Sequence, residues 1–346
     1  MIKPMKLKPG DTVAAVSLSS GMAGERLFIH RAELGIKRLE QEFGLQVKIM
    51  PHALKGSEYL AGNPKARAKD LMTAFKDPQV KAVISMIGGN DTIRLLPHID
   101  FQVFRDHPKI FMGYSDTTIN HFMLYKAGIV SFYGPCILAE FAENGGMHEY
   151  TKHYIRQTLF AAPDVLPVYP SSEWTSQYLD WTDPGNNEVS RLMQTDVRGY
   201  ELLQGEGVVC GSLSGGCLDV FPMMMGTSIW PGREQWHNSI LFLEASEEYP
   251  HPTTLKYLLR SLAAQGIIDD INGVIFGKPK DERYYEEYKA ILTQVIGEEA
   301  GRPLLPVLYN LNFGHTAPMA TLPYGIKAEI NCAKRTFSLV EAAVCE

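Results

Sequence analysis

The chain has 346 residues, 45% of them hydrophobic and 21% charged, with a formal charge of −6 and a pI near 6.0. Such a length favours two domains with real cores, and an acidic balance without any basic block excludes a nucleic-acid polymer as partner. No apolar run approaches the ~20 residues that span a bilayer, and Met1 to Gly10 lacks the apolar region and cleavage site of a signal peptide. The expectation is therefore a soluble, cytoplasmic protein with no membrane partner.

The first half alternates short apolar runs with amphipathic stretches. Strands are predicted at Thr12 to Leu18, Val47 to Pro51, Ala82 to Ile87 and Ile110 to Met112, and helices at Ile29 to Phe43, Pro64 to Phe75, Thr92 to Leu96 and Asp116 to Lys126. This βαβ alternation predicts an α/β fold in which a doubly wound, mostly parallel sheet fills an N-terminal domain, residues 1–165. Ligands of such sheets gather at the carboxyl ends of the strands.

From 166 to 200 the periodicity is lost among prolines, serines and two tryptophans, and the stretch reads as a linker with an extended loop. Trp174 and Trp181 are unusual in a polar loop. Each either packs on the protein's own body or stacks on a planar ligand. The C-terminal domain, 201–346, has strands predicted at Gly207 to Leu213, Ser239 to Leu243, Val274 to Lys278 and Leu304 to Leu308. Helices at Thr253 to Gln265 and Glu282 to Ile296 and a terminal hairpin, Ile326 to Asn331 with Thr336 to Val340, complete an α+β or partly closed β domain.

Three positions are candidates for chemistry. The run Lys109-Ile-Phe-Met-Gly-Tyr-Ser-Asp-Thr-Thr118 is a buried strand that ends in glycine and then a serine opening a helix. Ser115 is either a helix N-cap or a nucleophile beside backbone N–H groups that stabilise an oxyanion. Gly88-Gly89-Asn90 follows another strand, so it meets Ser115 on the same sheet edge. It is either a tight turn or a backbone N–H brought close to a substrate carbonyl. Neither G-x-G-x-x-G nor a Walker lysine accompanies it, so no nucleotide cofactor is expected.

Glu244 follows the apolar strand Ser239-Ile-Leu-Phe-Leu243, where a buried carboxylate needs a donor. That donor is a histidine N–H or a structural partner. His315 sits on a turn in Asn312-Phe-Gly-His-Thr-Ala-Pro318, which suits a positioned base. The order Ser, Glu, His is one that serine hydrolases use, although Thr117 replaces the last glycine of G-x-S-x-G. The five cysteines are scattered, with no Cys-x-x-Cys or His-Glu-x-x-His spacing, so neither a disulfide framework nor a metal site is expected.

Four segments in this order resemble the LD-carboxypeptidase family of serine peptidases, in particular its branch of microcin C immunity proteins. They are Met86-Ile-Gly-Gly-Asn-Asp-Thr-Ile-Arg-Leu-Leu-Pro97, Gly113-Tyr-Ser-Asp-Thr117, Phe242-Leu-Glu-Ala-Ser-Glu-Glu248 and Phe313-Gly-His-Thr-Ala-Pro318. The opening Leu7 to Val16 and Gly211 to Leu218 are similar too, so the resemblance runs nearly end to end. It implies a nucleophile Ser115, a general base His315, an orienting acid Glu244 and an oxyanion hole from the N–H groups of Asp116 and Gly89, the choice of Gly89 over Gly88 being open. It further implies an interdomain cleft, a homodimer and no cofactor.

The resemblance implies amide hydrolysis of a small peptide or a peptidyl or aminoacyl nucleotide such as processed microcin C, with Trp181 as the residue that stacks on the base. The alternatives are a murein tetrapeptide LD-carboxypeptidase and a non-catalytic small-molecule binding protein, since paired α/β lobes also capture solutes.

Overall fold

The computed structural model describes residues 1–346, and the chain divides into two compact units. The first comprises Met1–Ala162, Gln177–Leu192 and Ala343–Glu346, the second Pro163–Ser176 and Met193–Ala342. The stretch 166–200, expected as one linker, is thus shared out, its middle part belonging with the first unit. No helix is long and apolar enough to cross a membrane.

In the first unit, strands β1 (Thr12–Val16), β2 (Gln46–Ile49), β3 (Val80–Ser85), β4 (Ile110–Gly113) and β5 (Phe132–Tyr133) lie in the order β5-β4-β3-β1-β2, every neighbouring pair parallel. β1, β3 and β4 are almost wholly buried, as continuous apolar runs covered on both faces require. The order reverses between β1 and β3, so the loops after β1, β3 and β4 open at the point where doubly wound sheets bind ligands.

Helix α1 (Ile29–Phe43) buries Ala32, Gly35, Leu39 and Phe43 at three- and four-residue spacing and stops at Gly44, whose φ of 68° few other residues tolerate. Helix α2 (Pro64–Lys76) starts on a proline, which has no N–H to leave unpaired in a first turn. Helix α3 (Thr118–Ala127) follows the Ser115 turn and is buried along nearly all its length.

The second unit is built on an eight-stranded mixed sheet. Its strands are β6 (Leu166–Val168), β7 (Glu201–Gln204), β8 (Val208–Cys217), β9 (Ser239–Glu244), β10 (Gly273–Gly277), β11 (Val307–Leu311), β12 (Lys327–Asn331) and β13 (Thr336–Leu339), in the order β6-β13-β12-β8-β9-β10-β11-β7. β8, β9, β10 and β11 are mutually parallel and the flanking strands antiparallel. Helices α4 (Pro252–Ala264) and α5 (Tyr285–Leu292) connect the parallel strands.

Several element boundaries differ from expectation, and two examples lie in this sheet. The strand predicted at Leu304 to Leu308 begins at Val307, because Pro306 has no N–H for the ladder and contributes only its carbonyl, to Val274 N at 2.8 Å. β8 runs on to Cys217, which pairs with Glu244.

A buried cation braces the first unit. Arg31 on α1 is 1% exposed and donates to Leu138 O at 3.0 Å, Ala142 O at 2.7 Å and Asn144 Oδ1 at 3.2 Å. Burial lowers its pKa to about 10, so it stays charged at neutral pH. Arg31→Met is expected to lower stability by about 1–3 kcal/mol for each buried carbonyl left unpaired, read as a lower urea midpoint with unchanged slope.

Candidate active site

Ser115 stands directly after β4 at φ 62°, a left-handed conformation that a non-glycine residue adopts only when its surroundings impose it. The surroundings are visible. Its N–H donates to Tyr133 Oη at 3.1 Å, its carbonyl accepts from Thr118 Oγ1 at 2.7 Å, and Thr117 Oγ1 donates to Tyr114 O at 2.7 Å. Behind the turn His121, fully buried, holds Gly113 O at 2.9 Å and Ser131 Oγ at 2.8 Å. Burial pushes its pKa down to about 3, so this imidazole is a neutral strut.

The capping interpretation of Ser115 is not realised. The short 3₁₀ turn Ser115–Thr117 is preceded by Tyr114, and neither it nor α3 has a side-chain cap. The hydroxyl is displayed on a strained turn instead.

The two glycines after β3 lie against this turn. A Cβ on Gly88 would sit 2.9 Å from Ser115 Cβ and 3.4 Å from Asp116 N, while Gly89, at φ 142°, has Ser19 Oγ where a Cβ would be, at 2.5 Å. The Asp116 side chain, fully buried, fixes the arrangement: its Oδ2 accepts from Ser19 Oγ at 2.5 Å, Asp91 N at 3.0 Å and Thr92 N at 2.9 Å. One carboxylate thus joins the loops after β1, β3 and β4.

In the second unit β9 delivers Glu244 to its carboxyl end, 1% exposed, and His315 follows β11 on the 312–318 loop. His315 Nδ1 and Glu244 Oε2 are 2.7 Å apart. The approach depends on Gly314: at φ 93°, its Cβ would fall 2.6 Å from Glu244 Oε2. The loop is pinned by Thr316 Oγ1 to Lys278 O at 3.0 Å, by Asn312 Oδ1 accepting from Ser171 N at 2.9 Å and by the bridge between Thr175 and Ala317.

Sequence reasoning missed the second partner of this imidazole. His315 Nε2 lies 2.8 Å from Glu247 Oε2, on a side chain that is 50% exposed. Glu247 belongs to the quoted Phe242 to Glu248 segment, but its contact arises from the turn after β9 and leaves no periodic signal. Burial alone would lower the His315 pKa, yet Glu244 and then Glu247 raise it well above the ordinary value. Burial likewise pushes Glu247 up, but the hydrogen bond and charge of His315 prevail and bring it down to about 2.

Cys217, Glu244 and His315 bring ligand-type atoms within 4.8 Å of one another. The carboxylate and imidazole are engaged with each other, and burial together with Glu244 holds the thiol well above its ordinary pKa. The thiol is thus held protonated beside the carboxylate and the imidazole.

The two loop tryptophans have different fates. Trp174 is 5% exposed in the second unit with Lys278 Nζ 4.7 Å from its ring centroid, so it packs on its own body. Trp181, in the first unit, is half-buried; the Arg31 guanidinium lies 4.2 Å from its ring centroid and its carbonyl meets His30 Nε2 at 3.1 Å.

Comparison with known proteins matches both halves. Residues 13–134 fit the LD-carboxypeptidase N-terminal domain and residues 210–330 the LD-carboxypeptidase C-terminal domain. A probable murein peptide carboxypeptidase of Bacillus subtilis is 31% identical over 99% of this chain and 96% of its own length. The microcin C7 self-immunity protein MccF of Escherichia coli is 28% identical over 97% and 94%. The crystal structure of an MccF-like protein from Streptococcus pneumoniae in complex with AMP superposes with a TM-score of 0.88 at 35% identity, covering 95% of this chain and 98% of that one.

Gly314→Ala is expected to cost about 1–3 kcal/mol, through the positive φ and the encroachment on Glu244. In the folded fraction the His315 titration, followed by imidazole NMR, should fall toward the ordinary histidine value.

Proposed function

Because the chain belongs to the LD-carboxypeptidase family of serine peptidases, we propose that Ser115, His315 and Glu244 act together as its nucleophile, general base and orienting acid. Neutral His315 accepts the Ser115 proton at Nε2 as the oxygen attacks an amide carbonyl. The resulting imidazolium, its charge balanced by Glu244, donates that proton to the departing amine. Water then attacks the acyl-enzyme by the same route in reverse.

We assign the oxyanion to the backbone N–H groups of Asp116 and Gly89. One such donor is worth about 10²–10³ in kcat. The observation that carries the reading is the buried 2.7 Å contact between His315 and Glu244. A carboxylate on Nδ1 sets the tautomer that leaves Nε2 for the nucleophile.

For substrate we propose an aminoacyl or peptidyl nucleotide, cleaved at the amide that joins the acyl group to the nucleotide, as in processed microcin C. The AMP bound by the S. pneumoniae relative and the self-immunity name of the E. coli relative support this. Trp181 then stacks on the base with the face opposite Arg31, a contact worth about 1–3 kcal/mol. The proposal includes a cytoplasmic homodimer; the free cysteines, two of them exposed, suit a reducing compartment. Sedimentation as a monomer at assay concentration would remove the dimer.

Murein tetrapeptide carboxypeptidase activity is the second reading, supported by the B. subtilis relative. Purified protein, given an aminoacyl sulfamoyl adenosine and a murein tetrapeptide side by side, is expected to release nucleotide from the first, and release of D-alanine alone would select the second. Ser115→Ala should lower kcat by about 10³–10⁶-fold with either, and full activity in that variant would end the nucleophile assignment.

A further inference from the structure

The geometry around His315 poses a problem that its assigned task does not solve. Two carboxylates hold its two ring nitrogens, Glu244 at 2.7 Å on Nδ1 and Glu247 at 2.8 Å on Nε2. An ionised carboxylate only accepts, so both nitrogens must carry hydrogen and the ring is an imidazolium. An imidazolium has no lone pair for the Ser115 proton. The resting ring is therefore locked in the wrong protonation state for a general base.

The two partners differ in how they are held. Glu244 is 1% exposed at a strand end, with Gly314 packed against it, whereas the Glu247 side chain is 50% exposed to solvent. Other ionisable groups around the pair are Cys217 beside Glu244, Asp219 in the turn after it, Tyr288 on α5 in the field of Glu244, and Lys280 in the segment after β10. Lys280 is the one fixed cation among them, and it also faces the Tyr249 ring at 5.7 Å.

We propose that Glu247 is a substrate-operated latch, which a cationic group on the acyl part of the substrate, in the first instance a free α-ammonium, releases from His315. This rests on the peptidase reading above and narrows its substrate class to acyl groups with a positive charge near the scissile carbonyl. When the ammonium pairs with Glu247, the Nε2–H proton leaves to solvent, the carboxylate remains ionised, and the neutral ring keeps its bond to Glu244. Ser115 then has a base. A charge-assisted pair of this kind discriminates by about 10- to 100-fold.

The test compares an aminoacyl sulfamoyl adenosine with its N-acetyl counterpart in the wild type and in Glu247→Gln. The wild type should prefer the free amine by about tenfold or more in kcat. The acid limb of its kcat–pH profile, which reports the bound complex, should lie about one unit or more lower for the free amine. In Glu247→Gln the N-acetyl substrate should gain and the two limbs should coincide. Equal discrimination and unmoved limbs in the variant would overturn the latch while leaving the peptidase reading intact.

A readout independent of turnover separates the two further. Binding of the free amine to Ser115→Ala, followed by calorimetry in buffers of different ionisation enthalpy, should release about one proton near neutral pH. The Ser115→Ala/Glu247→Gln protein should release markedly less. Proton release without any hydrolysis by the wild type would support the latch and count against the peptidase reading, whereas hydrolysis without proton release would do the reverse.

Discussion

A charge buried at the end of a strand is the constraint around which the second unit is organised. Glu244 is 1% exposed, and taking a carboxylate out of water costs several kcal/mol unless something answers it. His315 does so, and the 312–318 loop is shaped to bring it there: Gly314 gives the space, and Thr316 and Asn312 tie the flanks to neighbouring backbone. In the interior this hydrogen bond is strengthened and keeps a hydrogen on Nδ1.

The first unit concentrates strain at one residue and rigidity around it. Ser115 keeps a left-handed backbone because its amide and carbonyl are both engaged, by Tyr133 and Thr118, and because the strand before it is braced by the neutral, buried His121. Such a turn is unfavourable by itself and persists only where neighbours over-determine it. A hydroxyl on a sharp strand-to-helix turn of this kind suits the nucleophile role proposed for it.

Much of this was legible in the residues. Apolar runs ending at Gly113 and Leu243 placed Ser115 and Glu244 at strand ends, and the βαβ alternation placed the Gly88–Asn90 and Gly113–Ser115 turns on one sheet edge. What escaped depends on contacts between residues distant in sequence. Arg31 meets Trp181 and Leu138 across more than a hundred residues, so neither the brace nor the occupied indole face has a local signature. The contact of Glu247 with His315 depends on how one turn folds back, which periodicity does not record. The displaced start of β11 was readable in principle from Pro306, but apolar character outweighed the missing N–H.

Asp116 joins two functions in a single residue. Its side chain fastens three loops, while its main-chain N–H follows the proposed nucleophile and is proposed to meet the developing negative charge. Scaffold and electrostatics are therefore tied together at this position: a change at residue 116 would unsettle the floor on which the proposed chemistry stands.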